Sequence, residues 1–521
     1  MIVIFIRVKL AACVVGGLLL FVSGCRQAPT IEKIEVSRTT VDPQPTFTIT
    51  TSNINDRAPL LPTVAPVASP TGNIAPMPIP TPPADGLYAY HTVTNGESLT
   101  YLADVYNTEI ETLVKLNQLD GPDALINIDQ VLRVPLQLDK TAPDQRLLPD
   151  SEVVYGPSYV NFDIAAFVES QGGYLNEYTE WVDAQTLNGA EIVERVAEQY
   201  SVGPRLLLAL LEYYGGWVTN STLDATQIRL PLGDKNPYAD SLYLAMTFTA
   251  NRINAGYYGY KRDGFWVFEL ADRSRVVTQP GLNAGTVGLQ NLLSVHADWE
   301  TWQQDLGPDG FMATYQALFG DPAAYEFRPL IPNTLTQPEL SLPWREGKGF
   351  YFTSGPHAGF VDGSAWAAID FGPPDVLGSC FYSEEPVTAA ADGVVVVARN
   401  GEVYLDLDGD GNIQTGWVLF YLHTVADTDT PVSVGQHLKQ GDVIGYASCE
   451  GGLSNSSHLH FARRYNGEWM AAGGPVPMNL SGWEVQPNSV PYDGQLVKGT
   501  DIRDSCECWE PDMNLIVNTG E

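Results

Sequence analysis

Ser456-Ser457-His458-Leu459-His460-Phe461 sets two histidines two residues apart inside an apolar run. On a β-strand, positions i and i+2 share a face, so both imidazoles can reach one site. The surrounding region, 345–510, reads as a β-rich domain. Its short apolar runs at 394–398, 417–422, 443–447 and 459–462 are bounded by Gly and Asp turns. Four of the seven histidines of the chain fall at special places within it. His357 precedes a Gly-containing loop that Asp370 closes, and His423 ends a strand. Neutral imidazole and carboxylate suit zinc, and a catalytic zinc takes three protein ligands and keeps one position open. Two histidines and Asp370 meet that need, which leaves the other two histidines to carry protons.

A single H-x-H pair is a weak signal, but the ordered set of His, Asp, strand-end His and H-x-H is a much stronger one. Over roughly 350–480 the chain resembles the lysostaphin-type (LytM-like) zinc metallopeptidases, a β-rich duplicated hybrid motif fold that cuts peptide cross-links in peptidoglycan. The resemblance implies that His357, Asp370 and His460 bind Zn2+ and that His458 and His423 are the catalytic histidines. One departure stands out. The family commonly spaces its first histidine and its aspartate more closely, whereas AGFVDGSAWAAI separates them here. Surface loops tolerate insertions of this kind. Asp362, inside the loop, is the runner-up carboxylate, and the strand-like AWAAIDF setting favours Asp370. His437, in VGQHLKQGD, reads as a turn residue.

Residues 88–136 read as strand, two short helices and strand. Tyr88 to Val93 alternates, Ser98 is placed to cap a helix, a second helix runs from Glu109 to Leu116, and Val131 to Pro135 closes the unit. VTNGESL, LVKLNQL and INIDQVLRVP resemble a LysM domain over nearly its whole length. That resemblance implies binding of N-acetylglucosamine-containing glycans, peptidoglycan or chitin. His91, on the first strand, reads as structural.

Ahead of this unit, Arg7 and Lys9 precede an apolar run from Leu10 to Val22 that is short for a membrane span. Val22-Ser23-Gly24-Cys25 resembles a bacterial lipobox. This implies removal of a signal peptide, residues 1–24, lipidation of Cys25, and an extracytoplasmic, membrane-anchored protein. Residues 25–87 are rich in Pro and Thr and read as an extended linker. The whole chain has 521 residues, 44% hydrophobic, enough for several packed cores. Its net charge of −34 excludes nucleic acid as a partner, because phosphates need a basic footprint.

Cys380, Cys449, Cys506 and Cys508 form an even set, which in an exported protein points to disulfides. A bridge across the single residue between Cys506 and Cys508 would be strained, so the expectation is that bridges tie the tail to Cys380 and Cys449. Residues 150–340 read as mainly helical and faintly resemble the opening of a lysozyme-like transglycosylase. That pattern puts Tyr214 where the family has its acidic glutamate, with Glu212 two residues earlier. A phenol with a pKa near 10 is a poor acid for a glycosidic oxygen, so an inactive, glycan-holding or spacing domain is expected. Asp406, Asp408 and Asp410 alternate before Gly411 and resemble the first half of an EF-hand calcium loop, although Trp417 stands at its twelfth position. Ca2+ binding and a plain acidic hairpin are both open at this stage.

The function these readings favour is a cell-wall-binding zinc endopeptidase that hydrolyses peptidoglycan peptides. The alternative is a non-catalytic peptidoglycan-binding scaffold or activator of other hydrolases. The five filled histidine and aspartate positions favour the enzyme.

Overall fold

The structure is a computed structural model. It describes residues 88–520, apart from 94–96, 107, 129, 136–141, 234–235, 273, 296, 377 and 426–431. The signal segment, Cys25 and the linker lie outside the described residues. No helix among the described residues is long and apolar enough to cross a membrane.

The first unit is the expected βααβ: β1 (Tyr88–Thr92), α1 (Leu99–Val105), α2 (Ile110–Asn117) and β2 (Val131–Pro135). Ser98 caps α1 by accepting from Tyr101 N–H at 3.2 Å. Asn117 fixes the end of α2 to β2. Its Nδ2 donates to Arg133 O at 2.8 Å, and its Oδ1 accepts from Arg133 N–H at 2.6 Å. Leu99, Leu102, Leu113, Leu132 and Val134 fill a small core. His91 lies between Glu97 Oε2 (2.8 Å) and Tyr106 Oη (2.7 Å), a structural role as expected.

The middle unit is mainly helical. Its chief helices are α3 (Gly189–Tyr200), α4 (Pro204–Gly215), α5 (Leu242–Asp263) and α6 (Ala284–Ser294). Asn188 and Glu191 form a reciprocal capping box at the start of α3. Helices α5 and α6 meet at Gly256 and Gly288, where an added Cβ would sit 2.9 Å from a backbone oxygen of the other helix. Glu212 is tied down at the end of α4. It accepts from the amides of Val218 (2.9 Å) and Thr219 (3.0 Å) and from the Thr219 hydroxyl. Tyr214 lines a separate cavity of about 420 Å³ with Tyr213, Phe248 and Asp305.

The C-terminal unit holds a three-stranded and a four-stranded sheet and is built around a nine-stranded antiparallel sheet. Its strands are β3 (Gly349–His357), β4 (Ala368–Gly372), β5 (Gly393–Arg399), β6 (Glu402–Asp406), β7 (Trp417–Leu422), β8 (His437–Leu438), β9 (Leu459–Tyr465), β10 (Glu468–Trp469) and β11 (Leu515–Val517). The order across the sheet is β8-β5-β6-β7-β9-β4-β3-β11, with β10 paired to β9. Side chains alternate between two cores. Leu419, Tyr421, Leu459 and Phe461 face the interior of the β-rich unit. Val418, Phe420, Leu422 and Ala462 face the other way and belong to one core with the helical unit. The helical unit therefore packs on the same sheet face that carries His460.

The expected disulfide pairing is corrected. Cys380 bonds Cys449, and Cys506 bonds Cys508. The loops around Cys380 and Cys449 are already laced together, since Ser457 N–H donates to Ser379 O (2.7 Å) and Ser383 N–H to Ala447 O (3.1 Å). The tail needs no bridge to stay in place, because β11 pairs with β3 and Asn514 Nδ2 donates to Cys508 O at 2.8 Å.

Candidate metal centre

Strand register brings the site together. On antiparallel strands, directly opposed residues share a face. His460 on β9 is opposite Asp370 on β4 and opposite Leu422 on β7. His357 ends β3, whose register against β4 shifts between 352 and 354 and again between 354 and 357. These irregularities re-aim the strand end so that His357 faces Asp370. His423 follows the last residue of β7 and holds a left-handed backbone, φ 60°. A non-glycine residue in that region is costly and persists where its surroundings over-determine it.

The three residues that the sequence pattern assigns to metal converge. His460 Nδ1 and His357 Nε2 lie 3.1 Å apart. Asp370 Oδ1 is 3.1 Å from the first and 3.4 Å from the second. The outer nitrogens fix the tautomers. His357 Nδ1 faces Gly355 O at 3.0 Å, and His460 Nε2 faces Gly359 O at 2.9 Å. A carbonyl oxygen only accepts, so both outer nitrogens carry the proton and both inner ones present lone pairs. Asp370 Oδ1 is buried and accepts no hydrogen bond. Three acceptors facing one another without a donor repel, and a cation at their centre relieves that. The donor set of two imidazoles and a carboxylate fits zinc, and the backbone carbonyls behind the histidines are the outer partners such ligands use.

Beside this cluster lie the two remaining histidines. His423 and His458 have ring centroids 4.5 Å apart, and His458 Nε2 is 3.8 Å from Asp370 Oδ2. His423 Nδ1 donates to Glu450 O (2.7 Å) and His458 Nδ1 to Ser456 O (2.8 Å), so each leaves its Nε2 lone pair free. Burial, reinforced by His458 and His460, pushes His423 down to about 3. Burial also lowers His357, against the pull of Asp370. For Asp370, burial pushes upward, but His357, His458 and His460 outweigh it and hold the carboxyl well below the usual range. Asp362 is exposed on the intervening loop and is not part of the cluster, and His437 is exposed on β8.

Two contributors escaped the sequence reading. Ser448 is buried and donates to His423 O from its amide (2.7 Å) and its hydroxyl (3.0 Å), while its own carbonyl accepts from His458 N–H at 3.4 Å. It couples the backbones of His423 and His458. Tyr492 stacks on His357, with centroids 4.7 Å apart and planes 19° from parallel. The one available signal was the neighbour of Ser448, Cys449, because a cysteine bridge marks a loop that must be held still.

At the acidic loop, Asp406, Asp408 and Asp410 each offer an oxygen within 4.8 Å of the others. Asp406 Oδ2 accepts from Gly411 N–H at 2.9 Å. Burial, then Asp408, raises the Asp406 carboxyl to about 6.

Comparison with known proteins gives three matched segments. Residues 91–135 match the profile described as LysM domain, 146–333 that of LasA, N-terminal domain, and 379–472 that of Peptidase family M23. Protease LasA from two Pseudomonas aeruginosa strains is 27% and 26% identical over 356 residues, covering 64% of this chain and 78% of the relative. Among solved structures, the deep-sea M23 metalloprotease pseudoalterin is 19% identical, covers 33% of this chain and 96% of its own, and has a TM-score of 0.27. The lysostaphin catalytic domain from Staphylococcus simulans is 24% identical, covers 24% of this chain and 88% of its own, and has a TM-score of 0.16. The M23 match includes His423, His458 and His460 but starts after His357 and Asp370, which join the site through the fold. The chain thus carries a Peptidase family M23 domain behind a LasA-type N-terminal domain and a LysM domain.

Proposed function

We propose that the chain is a zinc endopeptidase that hydrolyses peptide bonds of peptidoglycan, held to the wall glycan by its LysM domain and to the membrane by lipid on Cys25. The observation that carries the peptidase reading is the donor-free convergence of His357 Nε2, His460 Nδ1 and Asp370 Oδ1 beside two histidines whose Nε2 atoms present lone pairs. His357, Asp370 and His460 would hold the ion, which when bound supplies Lewis-acid polarisation of the scissile carbonyl and a more acidic water.

The rest of the chemistry falls to the chain's own side chains. One of the pair His458 and His423 takes a proton from the attacking water at Nε2 and returns it to the leaving amine. The other would stabilise the developing oxyanion. Glu450 O and Ser456 O hold their Nδ1 protons, so neither ring has to turn over before it acts.

Support for the glycan part is the LysM match and the compact βααβ unit. Asp406, Asp408 and Asp410 converge at the turn between β6 and β7 and would serve either as Ca2+ ligands or as a plain acidic hairpin. The test of the main reading is zinc content of the purified chain after dialysis, together with mass spectrometry of products from wall peptides. Stoichiometric zinc with cleaved stem or cross-link peptides supports it. A chain that holds no zinc and leaves the peptides intact returns the scaffold reading.

A further inference from the structure

The long insertion between His357 and Asp370 does not loop out into solvent. It folds on itself, with Gly359 N–H donating to Ala365 O (2.9 Å), Phe360 N–H to Ser364 Oγ (2.9 Å) and Ser364 N–H to Val361 O (3.1 Å). Val361 at its tip has φ 56°, a left-handed backbone that a β-branched side chain resists. Such strain persists where neighbours hold the chain in place. Those neighbours are the helices of the LasA-type domain. Gly363 N–H donates to Asn251 Oδ1 of α5 at 2.8 Å, and a Cβ on Gly363 would lie 2.2 Å from the Asn251 carbonyl oxygen. Phe360 meets Tyr200, the last residue of α3, edge to face at 5.2 Å. Arg262 of α5 sits 4.9 Å over the Trp366 ring where the loop returns to the sheet.

The other end of this grip is the metal cluster. Gly359 O is the acceptor that fixes the His460 tautomer at 2.9 Å and so turns Nδ1 toward Asp370. A Cβ on Gly359 would stand 2.6 Å from the Trp469 ring, and Trp469 N–H donates to Tyr258 Oη of α5 at 3.1 Å. The carbonyl that aims His460 therefore belongs to a loop held against the sheet at Gly359 and against α5 at Gly363. We infer that Asn251 is a positioning residue for the metal centre: by holding Gly363 it sets the loop whose Gly359 carbonyl orients His460. Through this half-buried amide side chain the LasA-type domain then acts on the metal centre, beyond any spacing role. The inference rests on the zinc reading above.

The outer partners of metal-bound histidines typically matter by about ten- to a hundredfold in metal affinity. Asn251 acts one step further out, through the loop, so a change of about tenfold is expected. The experiment uses the full chain, stripped of metal and titrated with Zn2+ against a chromophoric chelator, with Co2+ spectra as a second readout. Asn251→Ala loses the acceptor and should weaken Zn2+ binding about tenfold and alter the Co2+ ligand-field bands. Asn251→Asp keeps an acceptor oxygen for Gly363 N–H and should restore both to near wild type. Gly363→Ala, which drives the loop off the Asn251 carbonyl, should repeat the Asn251→Ala result. Melting of the metal-free chain serves as the structural control and should shift by only a degree or two in Asn251→Ala. Unchanged zinc affinity and Co2+ bands in Asn251→Ala overturn the inference. Equal loss in Asn251→Asp, or a loss matched by early melting of the metal-free chain, overturns it as well. A wild type that takes up neither ion overturns the zinc reading itself and the inference with it, which separates the two failures.

Discussion

Arg464→Met tests how the helical domain is fastened to the sheet face that carries His460. Arg464 sits on β9 four residues after His460, on the same face, and is fully buried. Its guanidinium donates to Glu198 O and Gln199 O, each at 2.8 Å, and lies 3.7 Å over the Trp469 ring. Glu198 and Gln199 form the last turn of α3, where helix carbonyls lack intrahelical partners and the dipole favours a cation. Methionine keeps most of the volume and removes both donors. Two effects oppose each other. Removing a buried cation relieves a desolvation cost, which for buried charges can equal the gain from pairing. Two buried carbonyls are then orphaned, at about 1–3 kcal/mol each. The cation is matched by a helix terminus and two aromatic rings and has no carboxylate hydrogen-bonded to it, so the orphaned carbonyls should dominate. A net loss of about 3 kcal/mol of docking free energy follows. Hydrogen exchange on peptides from the end of α3 and from β9 reads this directly, because about 3 kcal/mol corresponds to roughly a hundredfold faster opening. Protection within threefold of wild type would show that the two carbonyl bonds do not hold the domains together.

His458→Ala leaves the ligand set whole, so it should keep near-stoichiometric zinc while losing about 10²–10⁴-fold in cleavage rate. His460→Ala should lose zinc on dialysis, and the reverse pattern would reverse the two roles. Glu402 is buried beside Gln199, Arg399, Glu198 and Arg195, and burial raises its carboxyl to about 7 from 4.5. A raised folded value means stability fully present below 4.5 and lost as pH rises through about 7, on the order of 3 kcal/mol across the window. Glu402→Gln should therefore melt with a flatter pH dependence between pH 5 and 8 and gain most at the alkaline end; parallel curves for the two proteins would refute this. On the calcium reading, millimolar Ca2+ should raise the melting temperature of the wild type but not of Asp408→Asn, and an absence of shift in both leaves the plain acidic hairpin. Cys25→Ser should leave the membrane fraction, and retention there after alkaline carbonate washing rejects lipid anchoring.

Local pattern carried much of this in the sequence, for physical reasons that can be named. The βααβ unit was legible because helix period, strand alternation and the Ser98 cap all agree within a short stretch. His458 and His460 were legible as a same-face pair because strand periodicity is two. The disulfides were misread because bridging depends on which loops meet in space, and the tail is held by β11 and Asn514 instead of by sulfur. The buried arginines were passed over for a related reason. Arg463 and Arg464 are adjacent in LHFARRY, so in a strand they point to opposite faces, and ordinary expectation sends at least one to solvent. Both are fully buried, Arg463 reaching Gln337 and Pro477 O on one side and Arg464 the end of α3 on the other. An arginine pair inside an otherwise apolar strand was the available sign that both sheet faces are covered.

That double coverage accounts for the long stretch between His357 and Asp370. A sheet with one open face could carry a short turn between its first histidine and its aspartate, with solvent beyond it. Here the face that bears His460 continues along β9 into Ala462 and Arg464 and is packed under helices. The chain between His357 and Asp370 has to pass between sheet and helix, and its length and glycines follow from that route. Gly359 and Gly363 stand where the backbone touches Trp469 on one side and Asn251 on the other, with no room for a Cβ at either. The insertion is thus the seam between two domains, and the same residues that close the seam supply the carbonyl that turns His460 Nδ1 toward Asp370.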